Sequence, residues 1–442
     1  MKKLMILMLT MAMALQLAAC AQVERLKEVE LPPLPTVTER PAATPAPAEL
    51  PEAAPEQMET QAAAPAETGE DQSVIVNFHK TQYTELDPAA GERMILDFSY
   101  VTPHVTLPGR ESAADAINEY IAMLDETYYT GNDYGDGYSS GYNGMLEQAL
   151  DNFSYVHETG AEMPLEFYSA RTVDVPRADG QVLSLYFNTS TYTGGAHGFY
   201  EGSAYVFDTE TGALLTLDRL TPDYEAFSAL VVQKMLEQAH GDAELSAAIG
   251  SYIEEKDWAL SFARLLREGS WYLDQNGLVL FSTLYELAPY AAGIQSFTVS
   301  YDELGELLDA RFRMEDKQAE GGFELLRMSE VEEGSFPILD FVQTGEGGEA
   351  LCLKSGERVY DVSLSRVSYA EDVNRFYKTE TLWLCSVMRG EGVQLAADLG
   401  GAIPGLMLEY RSGDGLHRAL LTMSGADGSL ALTEDGFDPI LQ

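Results

Sequence analysis

Three glycines in the five residues Gly194-Gly195-Ala196-His197-Gly198 place an imidazole inside a turn that carries few side chains. Such a histidine offers general-base chemistry or a metal ligand. Its commoner task is structural, its ring bonding backbone groups that a tight turn leaves free. Glu286 and Asp302 are the carboxylates an acid/base pair would draw on, yet no spacing in the chain ties one to the other. Ser184 and Ser190 lack the strand–turn–helix setting of a nucleophile elbow. Asn132, Asp133 and Asp136 have the composition of a calcium loop, but Tyr134 occupies the third ligand position, so the stretch reads as a solvated loop. The six histidines (His79, His104, His157, His197, His240 and His417) are scattered and none has metal-ligand spacing. No metal, no cofactor and no catalytic residue is expected. Cys352 and Cys385 each sit in an apolar, strand-like run, where one disulfide and two buried thiols are equally compatible with the sequence.

Binding chemistry is better represented. Tyr192 and Phe199 flank the glycine turn, and Tyr285, Pro289 and Tyr290 lie in a second, proline-stiffened aromatic stretch. Rigid aromatic loops offer contact area at low ordering cost, as protein-recognition surfaces require. Tyr192, Gly194, Gly195, His197, Phe199, Tyr285, Pro289 and Tyr290 are therefore the partner-binding candidates.

The elements that must position them follow from periodicity. Leu183, Leu185 and Phe187 alternate with polar neighbours, and Ser203 to Phe207 forms a second run, so the glycine turn joins two strands. Further strands are expected at Val74–Asn77, Met94–Phe98 and Val101–Leu107. Ala113, Ile117, Tyr120, Ile121 and Leu124 repeat at helical spacing behind a Ser112/Asp115 capping box, and a second helix covers Met145 to Tyr155. Asp208 to Gly212 reads as a turn, and Thr221-Pro222 as the start of a third helix carrying Phe227, Leu230, Val231, Met235 and Leu236. Helical material continues from Ala243 to about Leu266. The Asn276-Gly277 pair marks a hairpin between Trp271–Leu273 and Leu278–Phe281. A strand at Phe297–Tyr301 and a helix over Asp302–Phe312 close this part.

The segment Tyr192-Thr193-Gly194-Gly195-Ala196-His197-Gly198, the Asp208–Gly212 turn and Ala288-Pro289-Tyr290-Ala291-Ala292-Gly293 occur in that order. Together they make the chain resemble the RsiV-like, PdaC-type extracellular domain family over roughly residues 74 to 312. The resemblance implies one mixed α/β unit that binds lysozyme in some members. The paired histidine ligands of the PdaC-type deacetylase module have no counterpart in this sequence.

The two ends of the chain are of other kinds. Lys2-Lys3, an apolar run from Leu4 to Leu15 and Leu17-Ala18-Ala19-Cys20 resemble a bacterial lipoprotein signal over residues 1–20, with Cys20 as the lipidated residue. Nine of the 19 prolines fall in residues 21–72, a Pro/Ala/Glu-rich stretch expected to be a disordered tether. From about Phe323 short apolar runs alternate with glycine turns, as in an all-β sandwich. The expected fold is thus α+β: a tether, a mixed α/β domain at 73–314 and a sandwich-like domain at 322–442. With 71 acidic against 27 basic residues, a net charge of −44 excludes nucleic acid and favours a basic partner. The function expected is a non-catalytic, lipid-anchored binding module outside the cytoplasmic membrane, its partner a basic protein such as lysozyme. The alternatives are a hydrolase or deacetylase-associated protein acting on cell-wall glycan, and a structural lipoprotein that binds the wall.

Overall fold

Alternating apolar residues dominate the chain, and in the computed structural model they make strands. The structure describes residues 72–434 apart from 90, 132–139, 161–165, 315–320, 346, 357, 372–374, 402 and 414. The signal, tether and calcium-like readings fall outside the described residues. In chain order the main elements are β1 (Ile75–Leu86), β2 (Met94–Thr106), α1 (Glu111–Thr130), α2 (Tyr142–Thr159), β3 (Phe167–Ala178), β4 (Val182–Tyr192) and β5 (Phe199–Asp208). Next come α3 (Tyr224–Gly241), α4 (Ala243–Gly250), α5 (Trp258–Ala263), β6 (Trp271–Leu273), β7 (Gly277–Phe281), β8 (Ser296–Ser300) and α6 (Tyr301–Leu304). The last third holds β9 (Phe323–Arg327), β10 (Ile338–Gln343), β11 (Glu349–Ser355), β12 (Val359–Ala370), β13 (Arg375–Met388), β14 (Gly392–Ala397), β15 (Leu406–Ser412), β16 (Gly415–Met423) and β17 (Leu430–Glu434).

The strands assemble into a ten-stranded sheet of order β17-β16-β15-β12-β13-β1-β2-β3-β4-β5, a four-stranded sheet β10-β14-β11-β9 and a three-stranded sheet β6-β7-β8. The fold is mixed α+β. The joint of the large sheet is the antiparallel pairing of Ile75, Val76 and Asn77 with Cys385, Leu384 and Trp383, so the sheet runs through both parts expected from sequence. Its β12, β13 and β15 portion and the four-stranded sheet share one apolar core, including Leu351, Leu353, Leu364, Trp383, Leu395 and Leu408, as in a sandwich. Trp383 is fully buried, and its indole N–H donates to Asp340 Oδ2 at 3.0 Å, which also accepts from Asn77 Nδ2 at 2.6 Å. A second core packs α3 (Phe227, Val231, Met235) against β6–β8 and α5. Full burial of each such side chain contributes about 1.5–3 kcal/mol.

Several expectations need correction. Met94–Phe98 and Val101–Leu107 are one strand, β2, which pairs with β1 throughout its length. β3 is an additional strand: Asp174, Arg171 and Arg177 interrupt its apolar pattern, and the two arginines donate to the distant carbonyls of Leu124 and Phe312. α1 starts at Glu111 without the Ser112 cap, because its N-cap Arg110 is pinned by bonds to the carbonyls of Ser73, Gly180 and Thr209. The cap of α3 is Asp223, which accepts from Ala226 N, rather than Thr221. The helix expected over 302–312 stops at Leu304, because Gly305 takes φ 51° and the chain continues in short 3-10 turns. Cys352 and Cys385 are both buried free thiols. Burial pushes them up to about 11 and about 12, respectively.

Candidate functional site

The glycine turn closes the β4–β5 hairpin, in which Thr191 pairs with Phe199 and Ser190 with Tyr200. Gly194 and Gly195 take φ 94° and 109°, a region that L side chains rarely adopt. Gly198 is needed for space instead, since a Cβ there would lie 3.0 Å from the Thr191 carbonyl and 3.2 Å from the Tyr168 hydroxyl. The turn is braced from within by the Tyr192 hydroxyl, which donates to Gly195 O at 3.1 Å. His197 Nδ1 lies 2.9 Å from Gly198 O. A carbonyl only accepts, so Nδ1 is the donor in this contact.

The second aromatic stretch is an arch between β7 and β8. Its base is closed by Ser282 and Gln295: Ser282 N donates to Gln295 O at 2.9 Å, and Gln295 N donates to Ser282 Oγ at 3.0 Å. Leu284, Leu287 and Ala288 point into the protein and are buried. Tyr285 points out, 45% exposed, with φ 63°. A non-glycine residue in this region costs about 1–2 kcal/mol. Glu286 holds the bend in place. Its Oε2 accepts from Thr283 N at 2.8 Å and from Arg267 Nη2 at 2.8 Å, and its Oε1 accepts from Arg267 Nη1 at 2.5 Å. Burial alone would raise the Glu286 carboxyl, but the hydrogen bonds from Arg267 and Thr283 hold it below the usual range. Pro289 (φ −60°) leads into the 3-10 turn Tyr290–Ala292.

The turn and the arch meet. The His197 and Tyr290 rings stack with centroids 4.0 Å apart and planes 27° apart, and the Tyr290 hydroxyl donates to Gly198 O at 2.7 Å. Tyr290 also touches Tyr200 edge-on at 5.9 Å and Tyr285 at 5.8 Å. Tyr192 pairs across the strands with Tyr168, ring centroids 6.0 Å apart. Tyr168, Tyr200 and Tyr285 are each at least 36% exposed, so the rings form a surface rather than a core. Of the residues selected from sequence, His197, Tyr285 and Tyr290 form the stack. Tyr192, Gly194 and Gly195 shape the turn beneath it, and Pro289 sets the arch. Phe199 is exposed, but among the described residues none of the ring contacts includes it. Sequence reasoning missed Tyr168 and Tyr200. Tyr200 carried a usable signal as the residue that follows Phe199 in the same strand, whereas Tyr168 lies on β3, which was not expected.

The residues weighed for catalysis lie in unlike surroundings. His197 is stacked and hydrogen-bonded, Glu286 is clamped by Arg267, and Ser184 is fully buried. Asp302 lies in the first turn of α6, whose capping box is made by Ser300 and Glu303. Among the described residues no group of three or more His, Cys, Asp or Glu side chains is placed to hold a metal, and no helix is long and apolar enough to cross a membrane.

The architecture is therefore that of an α+β protein in which a glycine-rich hairpin and a buttressed arch present one aromatic surface. Residues 220–302, which contain the arch but not the hairpin, match the family model described as a protein of unknown function, DUF3298. Among solved structures the chain is similar to a DUF3298 family member from Bacteroides fragilis, 19% identical, over 53% of this chain and 94% of that one, with a TM-score of 0.40. It is also similar to a DUF3298 family protein from Pseudomonas aeruginosa, 17% identical, over 56% of this chain and all of that one, with a TM-score of 0.37. No curated protein matches the chain.

Proposed function

We propose that the protein is a non-catalytic binding module of the cell envelope, lipid-anchored through Cys20, whose aromatic surface grips a basic protein. The observation that carries this reading is the His197–Tyr290 stack with Tyr200 and Tyr285 beside it, exposed on a frame held by Glu286 and Arg267. Preorganised aromatic anchors are the residues that dominate binding energy at protein interfaces. The chain's net charge of −44 supports a partner of opposite sign and predicts association that weakens with salt. Lysozyme is the partner that the sequence resemblance suggests. A hydrolase using His197 and Glu286 finds less support, because the Glu286 carboxylate is already spent on Arg267 and Thr283.

Calorimetry of the full chain with lysozyme at physiological salt tests the proposal. Saturable binding is expected, weakened at least about tenfold by Tyr290→Ala, as for an interface hot spot. Absence of heat at high protein concentration, or an affinity indifferent to that substitution, would sink it.

A further inference from the structure

A cleft of about 560 Å³ opens between α1 and the β1–β2 pair, and no residue of the aromatic stack lines it. Its lining includes Tyr83, Tyr100, Tyr129, Thr102, Asp125 and Glu126. The three rings are fixed from behind. Tyr83 lies 4.9 Å from Tyr142, Tyr129 stacks on Tyr142 at 5.5 Å and 14°, and the Arg171 guanidinium sits 5.5 Å from the Tyr100 ring. These walls need no ordering when something binds, which favours affinity. Arg171 is buried and also donates to Asp125, which accepts from the Thr102 hydroxyl as well.

The chemistry of the lining narrows the ligand. Among the described residues no lysine or arginine lines the cleft, so an anion meets no fixed positive charge. A cation meets only Glu126, exposed at the rim where water screens it, because Arg171 already matches the Asp125 charge and already occupies the Tyr100 ring. A purely apolar ligand would strip water from Glu126 and His104 without replacing it. What remains is an uncharged ring compound with hydroxyls at its edge and C–H groups on its faces. We propose that this cleft is a saccharide site, with the tyrosines as platform and exposed Glu126 and His104 as hydrogen-bonding groups at the rim. Its volume lies within the range of about 300–1,000 Å³ typical of small-molecule pockets and suits a mono- or disaccharide.

The test is a titration of the full chain, followed by NMR, with neutral mono- and disaccharides both plain and N-acetylated, and with choline and arginine amide as cationic controls. Saturable saccharide binding in about the millimolar range is expected. Ala122→Trp, which fills the cleft from an exposed position on α1, should raise Kd at least about tenfold without lowering the melting temperature. If that variant melts early, Glu126→Gln at the rim replaces it, with a Kd raised at least about threefold expected. No saccharide bound at about 10 mM, a cation bound more tightly than any saccharide, or an affinity unmoved by the folded variant would each overturn the assignment. The lysozyme titration is independent of this outcome, since the two sites share no residue.

Discussion

Tyr285 shows in one residue how fold and surface compete. Its backbone sits at φ 63°, where a glycine would be comfortable, yet the position holds an exposed tyrosine. The bend is maintained by its neighbours: Leu284 and Leu287 are buried on either side, and Glu286 is anchored by Arg267. Tyr285→Gly relieves the strain while adding chain entropy to the unfolded state, two effects of about 1 kcal/mol that oppose each other. Denaturant unfolding should therefore change by less than about 1 kcal/mol, while partner binding falls about tenfold or more. A loss of several kcal/mol of stability would instead show that the side chain serves the fold.

At the scale of elements, the turn from β3 to β4 is tied to the α6 region by a buried arginine that is also ion-paired within the turn. Arg177 Nε donates to Asp179 Oδ2 at 2.6 Å, and Arg177 Nη1 donates to the Tyr301 hydroxyl at 2.8 Å and to Phe312 O at 2.6 Å. Burial would raise the Asp179 carboxyl, but Arg177 and the backbone N–H groups of Gln181 and Val182 together hold it below its ordinary value. A depressed carboxyl stabilises the fold above the unfolded value of about 3.9, and that contribution is lost as pH falls through the folded value. Asp179→Asn should destabilise the protein by about 3–5 kcal/mol at pH 7, because it leaves Arg177 buried and uncompensated. The gap between variant and parent should narrow as pH is lowered below about 4, as measured by urea unfolding at a series of pH values. Elements of this kind were unevenly legible. β4, β5, β7 and most strands of the last third are written in plain alternation with turn residues between them. β3 was hidden because its inward-facing arginines look like surface until their distant partners are known. The glycine turn and the arch were each readable, but the Tyr290–Gly198 bond joins residues 92 positions apart, and no local pattern encodes that meeting.

For the molecule as a whole, the controlling feature is the single large sheet. A chain ending at residue 314 would lack β13, leaving the Ile75–Asn77 end of β1 paired with β2 on one side but open on the other, and Ile75 without the core it shares with Trp383 and Leu364. Residues 73–314 alone should therefore aggregate or melt over a broad range, whereas the full chain gives a sharper transition by calorimetry. A truncated protein that melts as sharply and at the same temperature would show that the joint contributes nothing.

The same joint sets a timetable. Val74 N–H is bonded to the Ser386 hydroxyl, 312 positions later in the chain. A ribosome that adds about 5–20 residues per second makes the first partner wait roughly 15–60 s for the second. For that interval the middle of the future sheet is a bare ledge, and whatever accompanies the nascent chain must shield it until the last third arrives.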